Sequence, residues 1–147
     1  MKTIKTKPCK YLLLFFIGGT IYIIIELIWR WLLHSSPTHW SMFILGGLSF
    51  LLIGEINEYL SWDTLFYIQC LIGTTIVLIF EFIFGCILNL WLKLNVWDYS
   101  NQPLNLLGQI CVPFAFLWYL LTAVAIVIDD YIRYWLFNEE KPRYRFK

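Results

Sequence analysis

The chain of 147 residues is 60% hydrophobic and only 14% charged, with a mean hydropathy of +0.68. Because a soluble domain carries about a quarter charged residues, this composition excludes an ordinary soluble domain and predicts an integral membrane protein. The formal net charge of +1 gives no reason to expect nucleic-acid binding.

Four apolar segments are each long enough to cross a bilayer, which requires about 20 apolar residues. These predicted spans cover about 11–33, 40–60, 64–92 and 110–134. We therefore expect an all-α bundle of four transmembrane helices, forming one domain over 1–137, and a disordered basic tail over 138–147. Before the last span, ahead of Pro113, the stretch 103–111 is predicted to form a short re-entrant or interfacial helix, since proline interrupts a helix.

Basic residues concentrate before the first span and after the last one: Lys2, Lys5, Lys7, Lys10, Arg133, Lys141, Arg143, Arg145 and Lys147. Cytoplasmic segments next to spans are enriched in Lys and Arg, so both termini are predicted to be cytoplasmic. An even number of spans agrees with this orientation. The connections at 33–39 and 93–102 then face the outside, and the connection at 55–63 faces the cytoplasm.

Polar residues in the first and third spans recur every four residues, which places them on one face of a helix. The first span carries such a stripe at Gly18, Tyr22, Glu26 and Arg30, and the third carries one that includes Glu81 and Asn89. Glu26 precedes Arg30 in the order that favours an ion pair. Because charged residues inside a bilayer usually face a bundle interior or a water-filled cavity, the stripes predict a polar pocket.

The segment "VWDYSNQPLNLLGQ", residues 96–109, adds polar groups on the predicted outer side. We expect it to complete an outward-facing pocket together with His39 at the start of the second span. The candidate substrate- or ion-binding residues are therefore Glu26, Arg30, His39, Glu81, Asn89, Asp98, Asn101, Asn105 and Gln109. We predict no catalytic residue.

Structural alternatives remain open for these residues. The Glu26–Arg30 pair could simply hold helices together. Glu81 is either protonated, paired with Arg30 across helices, or functional, because burial and a nearby guanidinium shift a carboxyl pKa in opposite directions. Asp98 and the neighbouring Asn residues could cap turns and helix starts, as these residue types often do.

Neither a metal, nor a cofactor, nor a disulfide framework is predicted. His34 and His39 are five residues apart, which is a poor helical spacing for two metal ligands. The four cysteines form no CxxC pair, and three of them lie in apolar segments, where cysteine usually acts as a small hydrophobic residue.

The polar residues at the cytoplasmic helix ends are expected to be solvated: Glu55, Asn57, Glu58, Asp129, Asp130 and Arg133. We also expect Arg133 to pair with Asp129 or Asp130.

Four stretches resemble one bacterial protein family: "GTIYIIIELIWR", "THWSMFILGGLSFLLIG", "EFIFGCILN" and "VWDYSNQPLNLLGQICVPFAFLWYLL". This family is described as "Putative ABC-transporter type IV", and also as an ABC transporter permease. The resemblance covers residues 18–137 and implies a polytopic membrane protein that acts as a transporter permease. No residue roles are taken from it.

Three functions are compatible with these features. The first is a permease subunit in the bacterial cell membrane, surrounded by lipid, that binds a small polar or ionic solute. It would need a separate ATPase, because the sequence has no GxxxxGK[ST] loop, and a homo-oligomer or second membrane subunit, because four spans are few. The second is an intramembrane enzyme for a lipid-linked substrate, with Glu81 as acid or base, although no G-x-S-x-G motif is present. The third is a structural or accessory protein.

Overall fold

The computed structural model describes residues 7–147, so Lys2 and Lys5 of the basic N-terminal cluster lie outside the described residues. This part of the chain is mostly helical, with α1 (Lys7–Leu32), α2 (Ser41–Gly54), α3 (Ile56–Tyr59), α4 (Phe66–Gly85) and α5 (Val112–Phe137). A π-helical segment, Cys86–Trp91, continues α4.

Four helical stretches are long and apolar enough to cross a membrane: Lys7–Leu32, Ser41–Tyr59, Phe66–Trp91 and Val112–Phe137. The second combines α2 with α3, and the third combines α4 with the π-helical segment. Their exposed side chains are largely apolar, as expected for helices surrounded by lipid, where only a helix or a closed barrel satisfies its own backbone. The predicted architecture of four transmembrane helices is confirmed.

The stretch 103–111 does not form the predicted short helix. It is a small hairpin in which β1 (Asn105–Leu106) pairs antiparallel with β2 (Ile110–Cys111). Gly108, between the strands, has a φ of +69°, which is incompatible with a right-handed helix. Pro113 lies in the first turn of α5, where a missing N–H removes no helical hydrogen bond. The proline therefore starts the last span instead of kinking it.

Paired glycines allow α1 and α2 to approach closely. A Cβ added to Gly18 would lie 2.2 Å from Cβ of Phe50, and one added to Gly46 would lie 2.2 Å from Cβ of Tyr22. Each helix thus inserts an aromatic side chain against a glycine of the other. The next glycine on each helix, Gly19 or Gly47, receives a phenylalanine ring in the same way.

A buried charge cluster lies where α5 ends beside α3. Arg133 is 2% exposed, and its Nε donates a hydrogen bond to Asp129. The guanidinium also pairs with Glu55 at 3.1 Å and with Glu58 at 3.4 Å. The predicted pairing with Asp129 is confirmed. The predicted solvation is wrong for Asp129, Asp130 and Arg133, because other helices and the tail cover these side chains.

The tail over 138–147 folds back onto the bundle. The hydroxyl of Tyr144 donates to Oδ2 of Asp130 at 2.9 Å. The backbone N–H of Phe66 donates to the carbonyl of Arg145 at 2.8 Å. The predicted disorder is therefore wrong, since contacts with residues distant in sequence order this short segment.

We predict that Gly46→Ala destabilises the bundle by about 1–3 kcal/mol, the usual effect of overpacking. The added methyl group would displace Tyr22, although alanine is the better helix former. Thermal unfolding in detergent, followed by tryptophan fluorescence, measures the effect. Thr20→Ala, at an exposed position on α1, is the matched control, and equal melting temperatures for the two variants would contradict the close approach.

We also predict that Arg133→Gln lowers stability by about 3–5 kcal/mol, because it leaves the buried carboxylate of Asp129 and the partly buried one of Glu55 without their cation. The control is Arg143→Gln, since Arg143 and Glu140 form a pair in which both side chains are mostly exposed. Exposed pairs contribute little to stability. Similar unfolding temperatures for both arginine variants would show that the cluster is solvated after all.

Candidate functional site

At the opposite end of the bundle, Arg30 joins α1 to two connecting segments. Its Nε donates to Oε1 of Glu26 at 2.7 Å, which confirms the predicted ion pair. Its Nη1 donates to the carbonyl oxygen and the hydroxyl of Ser36, and its Nη2 donates to the carbonyl of Val96 at 2.8 Å. All three guanidinium nitrogens are thus used by the protein itself.

Glu81, on α4, is 2% exposed. Its Oε1 accepts a hydrogen bond from the Tyr99 hydroxyl at 3.1 Å, and its Oε2 accepts one from Nε1 of Trp118 at 2.8 Å. Within residues 7–147, no basic side chain pairs with it. The cross-helix pair with Arg30 that the sequence left open is therefore absent from the described chain. Among the described residues, only neutral donors form hydrogen bonds with this carboxyl group.

Tyr99 lies in the connection between α4 and β1. Burial, and after it the nearby Glu81, raise the pKa of the Tyr99 hydroxyl above its ordinary value of 10.0. The hydroxyl is therefore protonated at neutral pH and can donate to Glu81. Its ring stacks on Phe114 at a centroid distance of 4.5 Å, which ties this connection to α5.

Two amide side chains hold the same connection in place. Nδ2 of Asn89 donates to Oε1 of Gln109 at 2.9 Å, and the backbone N–H of Val96 donates to Oδ1 of Asn89 at 2.7 Å. Nε1 of Trp97 donates to the carbonyl of Gln109 at 3.0 Å. Both amides are buried. Their polar groups thus bind other parts of the protein.

Other predicted site residues stabilise local turns. Asp98 accepts hydrogen bonds from the hydroxyl and the backbone N–H of Ser100, and these bonds lower the pKa of this exposed carboxyl group. Nδ2 of Asn105 donates to the carbonyl of Ser100 at 3.2 Å. His39 contacts the hydroxyl of Ser41 through Nδ1 at 2.7 Å. Asn101 is exposed.

A cavity of about 230 Å³ lies between α1 and α5 at this end. Six aromatic side chains line it: Tyr22, Trp29, Trp97, Tyr99, Phe114 and Trp118. Aliphatic side chains and Met42 form most of the remaining wall. Among the described residues, Glu26 is its one charged lining residue, and Glu81 lies directly behind Tyr99 and Trp118.

A second cavity, of about 90 Å³, adjoins the first and extends deeper into the bundle. The two share Tyr22, Ile25, Trp118 and Leu121, and the lining of the deeper one is almost entirely apolar. Where the two cavities meet, the ring of Tyr22 on α1 stacks on that of Trp118 on α5, with the ring centroids 5.7 Å apart. The geometry therefore offers an apolar, aromatic site with the carboxyl group of Glu26 in its wall and that of Glu81 behind the wall.

No group of three or more His, Cys, Asp and Glu residues within the described chain is arranged to hold a metal ion. The four cysteines are free thiols.

The sequence from residue 13 to residue 144 matches the model of the family described as "Putative ABC-transporter type IV". The chain belongs to this family. It is therefore a multi-pass membrane protein related to ABC transporters, as the resemblance implied. No solved structure matches the chain.

Sequence reasoning missed most of the aromatic residues that line this cavity. It named Glu26 and Glu81, but it did not name Tyr99 and Trp118, which contact Glu81 and line the cavity. Tyr99 lies within the polar segment 96–109, and this position is a signal from which it could have been predicted. Trp118 had no such signal. In a span rich in aromatic residues, the neighbouring sequence does not distinguish a tryptophan that faces lipid from one that donates a hydrogen bond inside the bundle.

We predict that Tyr99→Phe destabilises the protein by about 1–3 kcal/mol, because one oxygen of buried Glu81 loses its donor. The raised pKa of Tyr99 means that its contribution is fully present below the unfolded pKa of about 10 and is lost as the pH rises through the folded value. The difference in stability between wild type and Tyr99→Phe should therefore shrink as the pH rises above about 10.

Unfolding midpoints at pH 7 and at alkaline pH measure both effects. Tyr67→Phe is the matched control, because Tyr67 is 49% exposed on α4 and makes no side-chain hydrogen bond in the described chain. If Tyr99→Phe behaves like Tyr67→Phe at pH 7, the Tyr99–Glu81 bond does not stabilise the fold.

Proposed function

We propose that this protein is a transporter permease subunit of the bacterial cell membrane that binds a small polar or ionic solute from the outer side. The observation that carries the proposal is the cavity of about 230 Å³ between α1 and α5. Glu26 lies in its wall, and Glu81 lies behind two of its lining residues. Such a concave, largely apolar site with a few convergent polar groups is the usual form of a ligand site.

The proposed orientation follows from the basic residues. Lys7 and Lys10 begin α1, and the tail over 138–147 carries four more basic residues, at the same end of the bundle. Because cytoplasmic segments are enriched in Lys and Arg, this pattern supports a cytoplasmic location for this end and for both termini. The cavity then opens near the outer surface. In this orientation, the chain consists of one transmembrane domain over 1–137 and a basic cytoplasmic tail over 138–147.

Transport would depend on other subunits. The chain has no GxxxxGK[ST] loop, so a separate ATPase would hydrolyse ATP. The two adjoining cavities measure about 230 Å³ and 90 Å³, too little for a full pathway, which would form between copies of this chain or between it and another membrane subunit.

A structural or accessory role is the second candidate. It is favoured by Arg30, Asn89 and Gln109, whose polar atoms bind groups within the protein. In that case Glu81 would serve only as an acceptor for its two donors.

The test is to tag the full chain, extract it in a mild detergent, and identify co-purifying proteins by mass spectrometry together with the native mass. An unrelated four-span protein, tagged and extracted in the same way, is the control for nonspecific capture. We expect a stoichiometric ATPase and more than one membrane subunit. A lone monomer or dimer carrying only lipid would refute the permease role and leave the accessory role.

A further inference from the structure

Carboxyl groups outnumber basic groups in the inner part of the cavity end. It holds the carboxyl groups of Glu26 and Glu81 but, among the described residues, only one guanidinium, that of the partly buried Arg30. Arg30 is bound to Glu26, Ser36 and Val96. A carboxylate in such an apolar setting is costly unless a cation or a proton neutralises it. Glu81 is therefore either protonated or, when it is ionised, neutralised by a cation that the described residues do not supply.

The cavity places an accessible oxygen beside this carboxyl group. Oε1 of Glu26 binds Arg30, whereas its Oε2 makes no hydrogen bond within residues 7–147. Glu26 itself lines the cavity, and the field of Glu81 acts across one layer of side chains. Because charges interact more strongly in a low-dielectric interior than in water, the Glu26 carboxylate, and Glu81 when it is ionised, favour a cation in the cavity.

The wall of the cavity selects the kind of cation. Aromatic faces attract cations, and the attraction is stronger when the cation is desolvated. Six aromatic side chains surround this space, which provides few polar groups to replace the hydration shell of a metal ion. An organic ammonium has a weaker hydration shell to lose and apolar substituents to bury. The adjoining apolar cavity of about 90 Å³ can accept such a substituent.

We infer that the cavity binds an organic cation with an apolar body, whose ammonium group lies among the aromatic rings beside Glu26 and whose apolar part extends towards the deeper cavity. This inference rests on the proposed function in one respect, since it takes the same cavity as the solute site. A proton on Glu81 and a bound ammonium are alternative ways to neutralise the site. The cation could be a free solute or the head group of an amine lipid.

The probe is phenyltrimethylammonium, titrated into the purified full-length chain in an uncharged maltoside detergent and followed by calorimetry. Its neutral isostere tert-butylbenzene and the anion benzenesulfonate are the ligand controls. We expect saturable binding of the cation, and binding of both controls weaker by about tenfold or more, because they lack the favourable charge.

Two variants test the assigned residues. Glu81→Gln removes the charge that Glu81 carries when it is ionised, and Leu117→Trp fills the cavity without changing any charge. Both should weaken binding of the cation by about tenfold or more. Glu140→Gln removes a carboxylate that is 60% exposed in the tail at the other end of the chain, and it should bind as wild type does. If Glu81→Gln fails to fold, Leu117→Trp still decides whether the cation occupies the cavity.

Several results would overturn the inference. These are no binding of the cation, equal binding of the neutral isostere, unchanged binding by a folded Glu81→Gln protein, or unchanged binding by Leu117→Trp. Native mass spectrometry of the extracted chain separates the two sources of the cation. An amine lipid that the probe displaces identifies a lipid head group, and a chain that carries no such lipid but still binds the probe identifies a free solute.

This experiment is independent of the permease role, because it uses the chain alone and needs no ATPase. Binding of the cation without a co-purifying ATPase would support the site and refute the permease role. A co-purifying ATPase without binding would support the permease role and overturn the assignment of the ligand.

Discussion

Burying a carboxylate among apolar helices costs on the order of several kcal/mol unless a cation or hydrogen-bond donors compensate it. The packing at both ends of this bundle follows from that constraint. At one end Arg133 neutralises Asp129 and pairs with two further acids, and the tail returns so that Tyr144 can reach Asp130. At the other end, the connections bend so that Val96 accepts from Arg30 and Tyr99 donates to Glu81. The tail and the connections between helices thus adopt conformations in which they form hydrogen bonds with the buried or partly buried charged groups.

The cavity between α1 and α5 exists because α1 packs closely against α2 and not against α5. Glycines facing aromatic side chains bring these two helices into close contact, whereas α5 packs mainly on α4 and α2. The facing sides of α1 and α5 are therefore bridged by rings, with Tyr22 stacked on Trp118 and Trp29 edge-on to Phe114. Large flat side chains that span a gap leave space between them. The same aromatic residues both bridge the helices and line the space.

The sequence predicted those features that depend on local spacing, and it failed for those that depend on distant contacts. Four spans follow from apolar length, and the Glu26–Arg30 pair follows from a separation of four residues. By contrast, the hairpin before α5, the ordered tail and the burial of Asp129 all require partners far away in the chain. Amide side chains are unusual in a membrane segment, so the sequence indicates that Asn89 and Gln109 have polar partners. Only the fold shows that they bind each other instead of lining a pocket.

The two ends of the bundle treat their acids differently, and this difference bears on function. Replacing a buried ionic group with a well-packed apolar one is often neutral or stabilising, so stability alone is a weak reason to bury an acid. Around Arg133 each acid at least contributes to a network that joins helices and tail. Among the described residues, Glu81 joins only Tyr99 and Trp118, and when Glu81 is ionised these two neutral donors stabilise its charge only in part. Its chemistry is explained more fully if that charge is used, since a negative group behind an aromatic wall attracts a cation into the space in front of it.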